Sequence, residues 1–331
     1  MSTGTDMRCV VRQLTRCGIR RWYTVNDLLD FPSIGRLPFP ERVKVETAWF
    51  HQKYASGHMW VGLATLDFVI TERCSLKCRE CSNLMQYYQN PRDFALERLK
   101  STLGRVLEIY DEIYELRLLG GEPLMYKEMS PLLLYLNDIP QIRRICCIFT
   151  NGTIVPAPKA LDGMAAGGKT WFSISNYGAL SRRLDELVEI LHQYHIDFVV
   201  KDIEFWTKCS TFVKHHRTTS KLKNLYDACC AKELMTLLDG KLYPCPYIAN
   251  GLNLQSLPDE QENYVDIMEG SDIMALKSSV RKILHGREYF TLCDYCQGRP
   301  YLNISDEEKI APCRQIKEPL RYEKFHCKNN H

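Results

Sequence analysis

Cys74, Cys78 and Cys81 stand at C-x3-C-x2-C spacing in the segment ERCSLKCREC. Three thiolates on one tight loop hold three corners of a cubane. They leave one metal without a protein ligand, and an open position is what catalysis requires. A zinc site is the other chemistry such a triplet supports. A second group lies downstream. Cys229 and Cys230 precede a glycine turn, Cys245 follows Gly240, and CDYC contributes Cys293 and Cys296. A Cys-hairpin-Cys unit plus a C-x2-C pair is a four-thiolate site, for a structural zinc or for a saturated cluster. The chain has 15 cysteines and no export signal, so metal ligation in a reducing compartment is expected rather than a disulfide framework.

The elements that must position these thiols are legible from Leu66 onward. LDFVIT (66–71), ELRLLGGEP (115–123), RRICCIFTNG (143–152), TWFSISNYG (170–178) and IDFVVKDI (196–203) read as strands. Between them, 95–110, 129–138, 159–168 and 183–195 carry apolar residues at helical spacing. Strands alternating with helices imply parallel βα units, about five or six of them, whose ligands sit at the carboxyl ends of the strands. The thiol triplet, GGEP (120–123) and TNG (150–152) all fall at that end. Glycines there let the backbone approach a ligand closely, although an ordinary turn explains GGEP and a capping turn explains TNG. After Phe205 the alternation stops. A polar basic stretch (207–224) precedes a hairpin over 233–248 with its turn at Asp239-Gly240. A helix follows over 271–286, with Ser271 as N-cap and Gly286 at its end. The last 45 residues read as cysteine-bearing loop. Residues 1–60 carry helices near 10–18 and 41–55 and no evident chemistry; the basic residues from Arg8 to Arg21 read as a solvated helix face.

Charge and hydropathy exclude several classes. Lys and Arg number 43 against 40 Asp and Glu, a net charge of +3, too small an excess for a nucleic-acid groove. No run reaches the ~18 apolar residues of a membrane span, and the start lacks a secretory cleavage pattern. A cytoplasmic protein without membrane or nucleic-acid partners is expected.

The combination of the CxxxCxxC loop after the first strand and GGEP after the second, in a βα-repeat frame over roughly 64–205, resembles the radical SAM superfamily. The resemblance implies an α/β fold, a partial (β/α)6 barrel over 64–208 after an N-terminal extension (1–63). It implies a [4Fe–4S] cluster on Cys74, Cys78 and Cys81, whose open iron is chelated by S-adenosylmethionine. Gly120, Gly121, Glu122 and Pro123 would line the methionine end. Ser173–Asn176 would lie near the ribose with Ser175 foremost, and Thr150 and Asn151 nearby. The family usually has an aromatic residue just before the third cysteine; here Glu80 stands there, so Asn83, Tyr87 and Tyr88 become candidates for adenine recognition, with loop packing the other role open to the two tyrosines. The downstream cysteines resemble the auxiliary-cluster region called SPASM, or its shortened Twitch form, in a small α+β domain over 209–331. The stretch after Cys296 lacks the cysteines of a full SPASM domain, which implies one auxiliary [4Fe–4S] cluster. Its ligands would be Cys229 or Cys230, with Cys245, Cys293 and Cys296. Cys313 and Cys327 are left unassigned.

A 5′-deoxyadenosyl radical formed on such a site removes hydrogen from an unactivated C–H bond. The single auxiliary cluster and modest size resemble the aminocyclitol and aminoglycoside dehydrogenases, which implies oxidation of a sugar or cyclitol carbinol to a ketone. A flavodoxin- or ferredoxin-type protein would supply electrons. The alternative is an epimerase in which a cysteine quenches the substrate radical: Cys209, Cys146, Cys147 or the non-ligating member of the 229/230 pair. A peptide maturase is a further enzyme class, and a zinc-stapled binding protein the non-enzyme reading. KDIEFWTKC (201–209) lies over the expected site. Lys201, Glu204 and Trp206 are candidates to read a hydroxylated substrate there, and Lys201, Glu204 and Cys209 are the candidate catalytic groups. His215, His216 and Arg217 are candidates for a phosphate handle or a solvated loop.

Overall fold

The computed structural model describes residues 62–325 apart from 233, 271, 286 and 301–303. Nearly all of the N-terminal extension, with its expected helices, therefore lies outside the described residues. So do Ser271, Gly286 and Cys327, and the side chains of Cys146 and Cys147.

Five parallel strands form in chain order: β1 (Gly62–Thr71), β2 (Glu112–Gly120), β3 (Ile142–Thr150), β4 (Thr170–Asn176) and β5 (Asp197–Asp202). The connecting helices are α1 (Leu96–Ile109), α2 (Met129–Asn137), α3 (Pro158–Gly167) and α4 (Leu184–Gln193). Their ends follow local chemistry. Pro158 opens α3 where a missing N–H costs nothing, and Gly168 closes it at φ 59, a left-handed conformation that glycine adopts without strain. Two-residue β6 (Trp206–Thr207) then leaves the sheet and pairs antiparallel with β10 (Lys309–Ile310).

The sixth parallel strand does not follow β5. It is β7 (Met235–Leu238), which pairs with the opposite edge, on β1, with Asp67 opposite Thr236. The order is β5-β4-β3-β2-β1-β7-β8-β9, where β8 is Lys241–Tyr243 and β9 Val265–Asp266. The expected (β/α)6 array is thus a five-strand βα array extended on its β1 side by a hairpin from the C-terminal third. That hairpin turns where the sequence indicated. Asp239 (φ 47) and Gly240 (φ 87) both take the left-handed region that a two-residue primed turn requires. Arg98 Nε and Nη2 hold the turn through the Asp239 carboxylate and carbonyl at 2.8 and 2.9 Å.

Three further helices follow: α5 (Thr219–Asp227), α6 (Pro246–Asn253) and α7 (Ile273–Leu284). Asp272 caps α7, its carboxylate accepting from Met274 N at 2.9 Å and Ala275 N at 3.3 Å. Helix α6 was not evident in the sequence, because PYIANGLN carries a glycine and no clear apolar stripe.

The period of two along the strands separates two environments. Leu66, Phe68 and Ile70 of β1, Leu116 and Leu118 of β2, and Phe172 and Ile174 of β4 are buried in the apolar core. The alternate residues line a cavity on the sheet's other face: Asp67 from β1, Glu115, Arg117 and Leu119 from β2, and Trp171, Ser173 and Ser175 from β4. A sheet covered on both faces normally reads as apolar throughout. Charged residues at alternate positions of β1 and β2 therefore mark the face that is used.

Candidate radical site and second thiol group

The loop that leaves β1 carries the triplet, and neighbouring turns clamp it. Gly121 N and Glu122 N donate to the carbonyls of Thr71 and Arg73 at 3.1 and 2.8 Å. A Cβ on Gly120 would stand 2.0 Å from the Thr71 carbonyl oxygen. One on Gly121 would stand 2.3 Å from that of Arg73 and 2.7 Å from Cys74 Cβ. Both glycines are thus required by the contact between GGEP and the thiol loop. Glu122 has no exposed surface and ties GGEP to TNG. Its carboxylate accepts from Thr150 Oγ1 (2.8 Å), Asn151 N (2.9 Å) and Leu124 N (3.2 Å). Burial nonetheless pushes its pKa up to about 7. Asn151 reaches the loop itself, donating to Ser75 Oγ at 3.1 Å with Cys74 Sγ 3.9 Å away.

Cys74, Cys78 and Cys81 line one cavity of about 440 Å³, together with Asn83, Gly121, Thr150, Asn151, Ser175 and Tyr177. Burial pushes the Cys74 thiol up, and the Cys81 thiol up to about 11. Cys78 is raised chiefly by its contact with Cys313. Backbone N–H groups are aimed at the other two sulfurs, from Leu76 to Cys74 and from Met85 and Asn83 to Cys81. Amide donors around buried sulfur suit thiolates bound to metal, which exchange their protons for it. No three His, Cys, Asp or Glu side chains gather as ligands round a single ion among the described residues; a cubane spreads its thiolates over several irons. The donor set fits a three-thiolate cluster.

The floor of the cavity is polar. Arg117 lies between Glu115, its ion-pair partner, and Asp67, with 3.9 Å between Arg117 Nη1 and Asp67 Oδ1. Its guanidinium also stacks 5.2 Å from the Phe149 ring centroid. Lys201, Trp206 and Arg299 complete the wall. Tyr177 and Trp206 meet edge to face at 5.7 Å and offer flat surfaces beside the thiols.

The second group assembles from three places. Cys229 follows α5, Cys245 is the N-cap of α6, and Cys293 and Cys296 lie in the short 3-10 segment near Thr291–Tyr295. Each of three sulfurs accepts a backbone N–H: Cys229 from Ala231 (3.4 Å), Cys245 from Ile248 (3.4 Å) and Cys296 from Gly298 (3.3 Å). Burial pushes Cys293 up to about 12 and Cys296 up to about 11. Cys245 is raised by burial and then by Cys293 and Cys296. Cys229 is raised first by its hydrogen bond with Cys230, then by burial, and after that by Cys245. Cys245 thus lies near Cys293 and Cys296 and near Cys229, which is also in contact with Cys230. The neighbour Cys230 differs, being exposed to the first cavity. Arg299 lies between the groups: its carbonyl accepts Cys230 N at 2.7 Å. Its guanidinium interacts with Cys230, Cys209, Cys229 and Cys296.

Not every candidate from the sequence reaches the cavity. Gly121, Thr150, Asn151, Ser175 and Lys201 line it, whereas Gly120, Glu122 and Pro123 stand behind it. Glu204 is exposed outside the lining, and Cys209 is in the core at 3% exposure. Tyr87 and Tyr88 are structural: Tyr87 OH donates to Ser210 O, and Tyr88 OH to Asn250 Oδ1, both at 2.8 Å. His216 N and Arg217 N donate to the Asp294 carboxylate at 3.0 and 2.9 Å, which docks that segment on CDYC. Asp67, Glu115, Arg117, Tyr177 and Arg299 were missed. The signal that finds the first three is a charge inside an otherwise apolar strand.

Residues 68–179 match the family model described as Radical SAM superfamily. Two curated relatives are named GTP 3′,8-cyclase. That of Clostridium perfringens (strain SM101 / Type A) is 32% identical over 95 residues, 27% of this chain and 28% of that one. That of Clostridium acetobutylicum is 29% identical over 133 residues, 36% of this chain and 41% of that one. The chain thus spans well under half the length of either. Among solved structures, BtrN in complex with AdoMet and 2-DOIA superposes with a TM-score of 0.40 at 16% identity, covering 72% of this chain and 95% of that one. Native anSMEcpe with bound AdoMet and Cp18Cys peptide gives 0.45 at 14% identity, covering 72% and 89%. No helix among the described residues is long and apolar enough to cross a membrane.

Proposed function

We propose that this radical SAM enzyme oxidises a carbinol of a sugar or cyclitol to a ketone, with one auxiliary [4Fe–4S] cluster taking up the electron. The observation that carries the reading is a single cavity joining the Cys74/Cys78/Cys81 loop to a wall of Asp67, Glu115, Arg117, Ser173, Ser175 and Lys201. Hydroxyl groups need paired donors and acceptors when buried, and this wall supplies both. When bound, the cluster and S-adenosylmethionine supply a carbon radical able to take hydrogen from an unactivated C–H bond.

The chain's own residues do the rest. Gly121 and the TNG turn shape the methionine end, Ser175 faces the ribose, and Tyr177 and Trp206 offer faces to the adenine. Lys201 donates to the substrate hydroxyl oxygen and orients it, and a carboxylate of the same wall, Asp67 or Glu115, takes the hydroxyl proton. Cys229, Cys245, Cys293 and Cys296 hold the auxiliary cluster, which settles on Cys229 rather than Cys230 in this reading. A flavodoxin- or ferredoxin-type donor supplies electrons. The boundaries 64–208 and 209–331 are proposed as the catalytic and auxiliary-cluster regions, although they share one sheet.

A second reading follows from Cys230. Its thiol faces the cavity, where it would hand a hydrogen atom to a substrate radical and give an epimer. Sugars deuterated at a single carbinol carbon separate the readings. Both transfer deuterium into 5′-deoxyadenosine. A ketone product supports dehydrogenation, and an epimer carrying solvent hydrogen supports Cys230 as donor. No transfer from any carbinol position would sink the carbohydrate reading.

A further inference from the structure

The last described segment of the chain, read from the sequence as loop, is built against the thiol loop. Cys78 and Gln315 form an antiparallel bridge. Arg79 N donates to Arg314 O, and Ile316 N to Lys77 O, both at 2.8 Å. Lys77 N donates to Gln315 Oε1 at 2.8 Å, and Arg314 pairs with Glu80 at 2.6 Å. Two groups then converge on one sulfur. Gln315 Nε2 lies 3.3 Å from Cys78 Sγ, and Cys313 Sγ lies 3.0 Å from it. The Gln315 amide is anchored at both ends: its oxygen accepts from Lys77 N, and its nitrogen also donates to Cys313 O at 2.8 Å and lies 3.4 Å from Cys313 Sγ. Cys313 itself is 1% exposed and adopts φ 56, a left-handed conformation uncommon for a side-chain-bearing residue and worth a functional explanation.

We infer that the segment 313–316 is part of the radical site, with Gln315 and Cys313 as positioning residues that hydrogen-bond the Cys78 sulfur and raise the reduction potential of the cluster it holds. The inference rests on the assignment of Cys78 as a cluster ligand. Cys74 and Cys81 take their donors from amides of their own loop. Cys78 takes its donors from residues 235 and 237 positions away. As a metal thiolate Cys78 accepts only, so the Cys313 thiol is the donor of that pair. A donor to a ligating sulfur stabilises the more negative, reduced cluster over the oxidised one, and so raises its potential. The C-terminal segment would thus adjust how readily the cluster accepts an electron, a property no residue near 74–81 fixes alone.

Three variants of the full-length chain, loaded with iron and sulfide anaerobically, test this by redox titration followed by electron paramagnetic resonance. The signal that changes on adding S-adenosylmethionine identifies the cluster. Gln315→Glu keeps an oxygen for Lys77 N but removes the donor to sulfur. Cys313→Ala removes the second donor, and Cys313→Ser restores one. The expected result is a midpoint shifted to more negative potential in Gln315→Glu and Cys313→Ala, near wild type in Cys313→Ser, at unchanged iron content. Wild-type midpoints in both Gln315→Glu and Cys313→Ala would overturn the inference. Should Gln315→Glu lose iron, the Cys313→Ala and Cys313→Ser pair decides by the same criterion. A wild-type protein whose iron signal ignores S-adenosylmethionine would overturn the assignment of Cys78, and this inference with it.

Discussion

Glu122 is the residue on which the radical site's turns depend. Its carboxylate accepts three hydrogen bonds and has no exposed surface, yet burial raises its pKa from 4.5 to about 7. The folded state therefore holds the proton more tightly than the unfolded chain. Stability from this group is complete below pH 4.5 and is lost as pH rises through 7, by roughly 3 kcal/mol in all. Urea unfolding of metal-free protein from pH 4.5 to 8 should show that decline, and Glu122→Gln should flatten it. An unchanged slope in the variant would assign the effect elsewhere. Gly121 makes a second prediction. A methyl group 2.3 Å from a backbone oxygen forces the loop to move, so Gly121→Ala should lose several kcal/mol or fail to load iron. A well-folded, fully loaded Gly121→Ala protein would contradict the close-approach argument.

At the scale of elements, the βα alternation was legible because each strand and helix declares its period locally. The thiol triplet, GGEP and TNG were legible as neighbours for the same reason, since parallel strands bring their carboxyl ends together. The placement of β7 on β1 was not, because strand-partner choice depends on contacts across the chain. The docking of residues 313–316 was hidden too: it has no periodicity, and its donors serve a sulfur 235 positions earlier. The sequence left Tyr87 and Tyr88 open between adenine contact and loop packing, because a tyrosine near a site looks alike whether it faces ligand or core. Tyr88 in fact ties the thiol loop to α6, donating to Asn250 Oδ1 and accepting from Asn253 Nδ2, each at 2.8 Å. Tyr88→Phe leaves both amides short of a partner and should cost about 1–3 kcal/mol. A denaturant midpoint equal to wild type would show that this tie carries no weight.

For the whole molecule, two thiol groups in one sheet-sharing chain predict its metal content. Protein purified without oxygen should be brown and hold about eight irons per chain, from two four-iron clusters. Cys293→Ala should remove one cluster and leave the other able to bind S-adenosylmethionine. About four irons in the wild type, with zinc at the second group, would mean that the downstream cysteines only staple the fold. The polar wall built from Asp67, Glu115 and Arg117 belongs to this scale as well, since three side chains from two strands acquire a meaning only once the thiol loop closes over them.

The most direct test is the release of 5′-deoxyadenosine from S-adenosylmethionine under a strong reductant, comparing wild-type protein with Cys78→Ala. The account predicts that wild-type protein forms it and the variant does not, while the variant keeps the iron of the second group. A variant that forms it at the wild-type rate, or an iron-loaded wild type that forms none, would contradict the assignment of Cys74, Cys78 and Cys81.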